Sequence, residues 1–238
     1  MNRVQKFLVA FLACACCISL PAADLNGRYA TITLDGSLSD WQAGDTLYNS
    51  SEIAAGAPAN TTFTSVLVAN DADYLYVGLV TPVKSQVTDP QTYNLYLDTD
   101  LNGGTGFNGG WMTGGYDSLV QYGQSGTTYS VYSFAGTSQG AWSWNWLGLI
   151  GYSYSDTLTE WAIPLSALGT PSQMRMEFNV TGSGVTAETW AYQFESGAST
   201  YTLATAPVPE PSTWAMFGFG MLLFVSVRKW GAGKRQMD

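Results

Sequence analysis

The chain has 238 residues, of which only 11% are charged, and its aromatic and glycine content is high (14% aromatic, 26 Gly). That profile fits one β-rich exported domain plus targeting segments better than a helical cytosolic protein. Between residues 24 and 205 three bases stand against sixteen acids, a balance of −13. Phosphate binding needs Lys/Arg clusters, so nucleic acid is excluded as a partner. The chain has no histidine, which removes Ser-His-Asp and Cys-His catalysis and a His-based zinc site.

Residues 1–23 read as a secretory signal peptide. "MNRVQK" is a positive n-region, "FLVAFLACACCISL" an apolar h-region, and "PAAD" supplies small residues for cleavage near Ala22 or Ala23. The rival is a lipoprotein anchored at Cys14, but "FLAC" has Phe where a lipobox has Leu. All three cysteines (Cys14, Cys16, Cys17) lie in this segment, so a mature domain has no disulfide.

Short apolar runs then alternate with Gly, Asn, Asp, Ser and Pro. "TFTSVLVA" (62–69) and "YLYVGLV" (74–80) flank "NDAD", a hairpin signal. "YNLYLD" (93–98), "DSLVQYG" (117–123), "TYSVYSF" (128–134), "AWSWNWLG" (141–148), "TEWAIPL" (159–165), "MRMEFNV" (174–180) and "TWAYQFE" (189–195) follow. Their period of two and β-branched or aromatic content predict about ten strands, and an all-β antiparallel sandwich or barrel. "SALG" (166–169) predicts a helical turn.

The run "LDTDLNGGTGF" (97–107) places Asp98, Asp100, Asn102 and Gly103 as in the first half of a D-x-[DN]-x-[DN]-G calcium loop. Alternating oxygens can fold around one hard cation, and Gly allows the tight turn. The twelfth position holds Gly109 instead of Glu, so Asp117 is the candidate for the missing carboxylate. The competing role for these residues is simple turn formation, which is also the expectation for Asp35 and Asp40.

In "AWSWNW", alternation puts Trp142, Trp144 and Trp146 on one face of a strand. On a wet face they form a stacking platform for pyranose rings; on a dry one they are core. Trp111 in the loop "GGWMTGGY" is a further sugar-contact candidate, whereas Trp41, Trp161 and Trp190 read as structural. Glu160, Glu177 and Glu188 lie in strand patterns without an acid–base motif, and no nucleophile elbow, zincin helix or phosphate loop is present. The expectation is therefore a protein with no catalytic residues.

The segment "ITLDGSLSDWQAGD" (32–45) carries the pattern D-G-x-x-x-D-W at Asp35, Gly36, Asp40 and Trp41, followed by "VANDADYLYVGL" and "EWAIPLSALG". Over roughly 30–195 this order resembles family 9 carbohydrate-binding modules and related DOMON-like sandwiches, in which the 98–117 run is also similar to a recurring element. The resemblance implies a jelly-roll-like sandwich. Haem, which some of that group bind through His and Met, is not expected here.

The C-terminal block, residues 206–238, opens on prolines that stop strand and helix (Pro207, Pro209, Pro211). Residues 212–227 are free of charge, near the low limit for a single transmembrane helix, with Trp214 and Trp230 at its ends and the basic residues Arg228 and Lys229 beyond. Pro209-Glu210-Pro211, the span and the basic tail 228–238 together resemble the PEP-CTERM sorting signal of Gram-negative bacteria. The resemblance implies recognition by exosortase at the inner membrane, cleavage near Pro-Glu-Pro, and transfer to the cell envelope or extracellular matrix, in an exopolysaccharide or biofilm setting. The expected partners are exosortase and polysaccharide, with calcium the one cofactor expected. The alternatives are a structural or adhesive surface protein without a sugar site, and a polysaccharide hydrolase.

Overall fold

A computed structural model describes residues 24–49, 64–80, 92–110, 114–122, 128–181 and 199–207. The segment 1–23 read as a signal peptide, Trp111, Glu188, Trp190, the strand expected at 189–195, the sorting tripeptide and the apolar run lie outside them. The chain divides into two compact units, Met1–Ala204 and Thr205–Asp238. Among the described residues no helix is long and apolar enough to cross a membrane.

The described residues of the first unit are all β apart from short 3-10 turns. In chain order its strands are β1 (Leu25–Asn26), β2 (Thr46–Asn49), β3 (Ser65–Asn70), β4 (Tyr74–Val80), β5 (Thr92–Asp98), β6 (Ser118–Tyr122), β7 (Tyr129–Phe134), β8 (Trp144–Leu149), β9 (Gly151–Tyr154), β10 (Leu158–Pro164), β11 (Gln173–Thr181) and β12 (Ser199–Thr202). They form a seven-stranded sheet in the order β1-β12-β11-β5-β6-β7-β8 and a five-stranded sheet in the order β2-β3-β4-β10-β9. Every pairing is antiparallel except β1 with β12, which is parallel.

The two sheets share one core, to which alternate residues of the central strands contribute. Val66 and Val68, Leu75, Val77 and Leu79, and Trp161 and Ile163 from the smaller sheet pack with Leu95 and Leu97, Met174, Met176 and Phe178, and Tyr129 and Val131 from the larger. This is the period of two expected of sheets packed face to face. Trp161 is completely buried, as its strand pattern predicts. Two polar latches cross the core. The Tyr48 hydroxyl donates to Met176 O and accepts from Ser199 N, and the Asn70 amide bonds with Ala204 and the Tyr201 hydroxyl.

β3 and β4 are buried on both faces, which simple alternation does not foresee. The cause is the segment before β2. Ile32 and Trp41 cover Leu67, Ala69, Tyr76 and Ala162 on the outer face of the five-stranded sheet. Gly78 makes room for the indole: a Cβ there would stand 3.1 Å from the Trp41 ring. The seven-stranded sheet has its own outer layer, in which Phe107 and Tyr116 lie over Tyr96 and Leu119.

The predicted helical turn is a single 3-10 turn, Leu165–Leu168, closed by Gly169 in the left-handed region. β1, β2, β9 and β12 are strands that the apolar runs do not announce, being short and flanked by polar residues. β8 begins at Trp144, three residues later than the apolar pattern suggests, because 141–143 turns through bonds among Ser138, Ala141 and Ser143.

Candidate functional site

The outer face of the seven-stranded sheet gathers most of the candidate residues. One row across it is Glu177, Tyr96, Leu119, Tyr132 and Trp146, each paired with the next in register. Another runs through Arg175 and Asp98, then Asp117, and ends with Phe134 paired to Trp144; Asp117 is stitched to both neighbours by Asp117 N to Leu97 O and Phe134 N to Asp117 O. Acids therefore stand at one side of this face and indoles at the other.

The three neighbouring tryptophans do different things. Trp142 is 52% exposed and Trp146 60% exposed, while Trp144 is half-buried behind them. Trp142 meets Trp144 edge to face at 5.7 Å, and both contact Phe107, at 5.2 and 5.6 Å. The Trp146 indole N–H donates to the Ser130 hydroxyl at 3.2 Å, which fixes the ring against the sheet. Two indoles are thus exposed to solvent, Trp142 backed by Phe107 and Trp144 and Trp146 tied to the sheet through Ser130, and both present apolar ring faces. Trp111 lies outside the described residues.

The acidic cluster is built on the loop after β5. Asp98, Asp100 and Asp117 each offer a carboxylate oxygen, and these oxygens lie within 4.8 Å of one another. Ligands on opposite sides of a calcium ion, at about 2.4 Å each, are at most about 5 Å apart, so the separation suits that ion. The same carboxylates also shape the loop. Asp117 Oδ2 accepts from Thr99 N, the Thr99 hydroxyl and Asp100 N. Asp100 Oδ1 accepts from Asn102 N, and Asp100 Oδ2 from the Thr105 hydroxyl. Leu101 takes up a positive φ of 57° at the turn. The Asn102 side-chain oxygen accepts from Gly104 N and is not one of the three clustered carboxylates.

Asp98 is buried, and Arg175 Nη1 reaches its Oδ2 at 3.1 Å while Nη2 reaches Leu101 O at 3.3 Å. Burial pushes the Asp98 carboxyl up to about 6, and Asp100 and Asp117 push the same way; Arg175 and Asn102 N pull it back. A divalent cation at this cluster would relieve the same repulsion. Arg175 had no signal in the sequence, since only sheet register sets it opposite Asp98.

The other candidate acids have structural tasks. Glu160 is fully buried: its Oε2 accepts from Asp35 N and Gly36 N at 3.1 and 2.7 Å, and its Oε1 from the Trp41 indole at 2.9 Å. Asp40 Oδ2 accepts from Thr33 N, and Asp35 Oδ1 from Ser37 N, so both make turns. Arg28 grips buried Asp45 through two bonds, at 2.8 and 2.7 Å, and also donates to Asp40 O. The D-G-x-x-x-D-W pattern is thus a clamp that fixes the segment before β2 onto the sheet. Glu177 is buried and accepts a hydrogen bond from the Tyr116 hydroxyl.

The fold and this face define an all-β domain, and the decisive comparison concerns the C-terminal block that follows it. The family model for the PEP-CTERM protein-sorting motif matches residues 207–229, which span Pro209, Glu210, Pro211, Arg228 and Lys229. The chain therefore carries a PEP-CTERM sorting motif and is an exported protein sorted by exosortase at the membrane toward the cell surface. No curated protein matches the chain.

Proposed function

We propose that this protein is a non-catalytic component of the cell envelope or extracellular matrix of a Gram-negative bacterium, and that its sandwich binds or organises polysaccharide in a biofilm setting. In this reading the signal peptide at 1–23 starts export. The span at 212–227 holds the chain in the inner membrane while exosortase acts at 209–211. The sandwich, of the jelly-roll-like carbohydrate-binding-module and DOMON kind, is the part delivered.

The observation that carries the sugar reading is the pair of exposed indoles: Trp142, seated against the half-buried Trp144 and Phe107, and Trp146, held by its hydrogen bond to Ser130. Exposed aromatic surface this rigid is a recognition feature more often than an accident. Calcium held by Asp98, Asp100 and Asp117, with Asn102 beside them, would brace the loop that carries Phe107 and so the floor beneath the indoles. The absence of catalysis is supported by Glu160, whose two oxygens are both occupied by structural donors.

The test is binding of the full chain, in mild detergent, to a panel of soluble and insoluble glycans. The expected result is retention that drops roughly tenfold, a step of about 1.4 kcal/mol, in Trp142→Ala/Trp146→Ala. No binding to any glycan, with or without calcium, overturns the reading and leaves a structural or adhesive role. Release of sugar that stops in an acid-to-amide variant would make the protein a hydrolase instead. For the metal, equal melting temperatures in chelator and in millimolar calcium remove calcium, because a ligand of the native state must raise stability.

A further inference from the structure

β8 is the outermost strand of the seven-stranded sheet, bonded among the described residues to β7 alone. It is six residues long, against two, four and four for the other edge strands β1, β2 and β9. Among the described residues nothing pairs with its open side, and the register shows which backbone groups face that way. Ala135 N donates to Ser143 O at 2.9 Å and Ile150 N to Tyr129 O at 3.1 Å. Given the pairs Phe134 with Trp144 and Ser130 with Leu149, these bonds make both the non-hydrogen-bonded kind, whose own N–H and C=O groups point away from the partner strand. Trp146, paired with Tyr132, has the same orientation. The backbone groups of Trp144 and Trp146 therefore face outward.

Soluble β proteins blunt such an edge with a bulge, and β8 has one opposite Val131–Tyr132 that leaves Trp144–Trp146 regular; they also use Lys, Pro or an inward charge. This edge has none of the last three. From Ser118 to Ser155 there is no Asp, Glu, Lys or Arg, in a chain whose residues 24–205 carry −13. Trp146, Leu147 and Leu149 on the strand are 60%, 43% and 59% exposed. Two copies of so acidic a domain repel each other wherever charged surfaces meet. The charge-free edge is the side on which that repulsion is least, and an antiparallel strand is its own complement.

We propose that two copies of this chain pair through β8 as an antiparallel, isologous dimer, making one continuous sheet across the interface. The two-fold axis passes beside Asn145, so that Trp144 of each copy bonds with Trp146 of the other. Pairing stops at the bulge around Leu147 and Gly148. The assembly closes at two copies, because each copy uses the same edge. The axis stands perpendicular to the sheet, which puts both aromatic outer faces on one side and doubles the surface offered to a polymer. Dimerisation itself does not depend on sugar binding.

The experiment uses the full chain in mild detergent, with Cys14, Cys16 and Cys17 changed to Ser. Light scattering and sedimentation should give twice the mass of one chain, falling to one chain in Leu147→Lys/Leu149→Lys. Both leucines are well exposed, so near-UV dichroism and melting should stay at the parent values. In the same background Asn145→Cys should form a symmetric disulfide under mild oxidation, since non-hydrogen-bonded cross-strand Cα atoms lie about 4.5 Å apart, within disulfide reach. A monomeric parent chain overturns the proposal. So does an oligomer that the lysines do not dissociate and that Asn145→Cys does not cross-link.

Discussion

Glu160 is the residue on which the segment before β2 depends. It is fully buried, and it accepts from two backbone N–H groups and one indole. Changing it to Gln keeps the volume but turns an NH2 toward at least one of those donors. Charge-assisted bonds of this kind contribute about 1.5–3 kcal/mol each, so Glu160→Gln should destabilise the fold by about 3 kcal/mol in urea unfolding. A loss within experimental error would show that the clamp is dispensable. Asp98 supplies a pH prediction in chelator. Burial holds its folded pKa at about 6, above the ordinary aspartate value of 3.8, so between these values the native state holds more protons than the unfolded one. The Asp98 contribution to stability must then fall as pH rises from about 4 to about 6. Unfolding free energies of the parent and Asp98→Asn should diverge across that window in favour of the variant; parallel profiles would refute the assignment.

At the scale of elements, the loop between β5 and β6 works because two of its strands of backbone cross almost in contact. Gly115 has φ +86°, and a Cβ on it would stand 2.6 Å from Gly103 Cα. Gly115→Ala should therefore separate the acidic turn from the Phe107–Tyr116 bridge, at a cost of about 1–3 kcal/mol from backbone strain alone. It should also weaken any calcium-induced rise in melting temperature more than Trp142→Ala does. Equal calcium responses in the two variants would separate the loop from the metal. This loop also shows how far local patterns reach. Its turn residues were legible, because Asp and Asn bond to their own backbone. The arrival of Asp117 beside Asp98 depends on β6 pairing with β5. The partnership of Asp98 with Arg175 depends on register with β11, 77 residues away, which no local spacing encodes.

For the whole molecule, sorting and folding are separable. Replacing Pro209-Glu210-Pro211 with Ala-Ala-Ala should leave the sandwich folded but keep the chain uncleaved in the membrane fraction. Mass spectrometry of the exported parent chain should find a C-terminus near 209–211, without Arg228 and Lys229. An exported chain that retains Trp230 would contradict processing at this motif.

Composition and pattern were enough to establish the all-β class, the export address and most strand positions, because these follow from local physics. Alternation places side chains on faces, prolines interrupt pairing, and an uncharged run next to bases suits a bilayer. Whether a face is wet or dry is not local. Trp41, Trp142, Trp144, Trp146 and Trp161 are the same residue in similar surroundings along the chain, yet two are buried, one is half-buried and two are exposed. The difference comes from what the rest of the chain sets against them: the larger sheet against Trp161, the outer face of the smaller sheet against Trp41, Phe107 against Trp144, and, among the described residues, no further strand beside β8. Burial is decided by which distant surfaces meet, and only the tertiary structure holds that information.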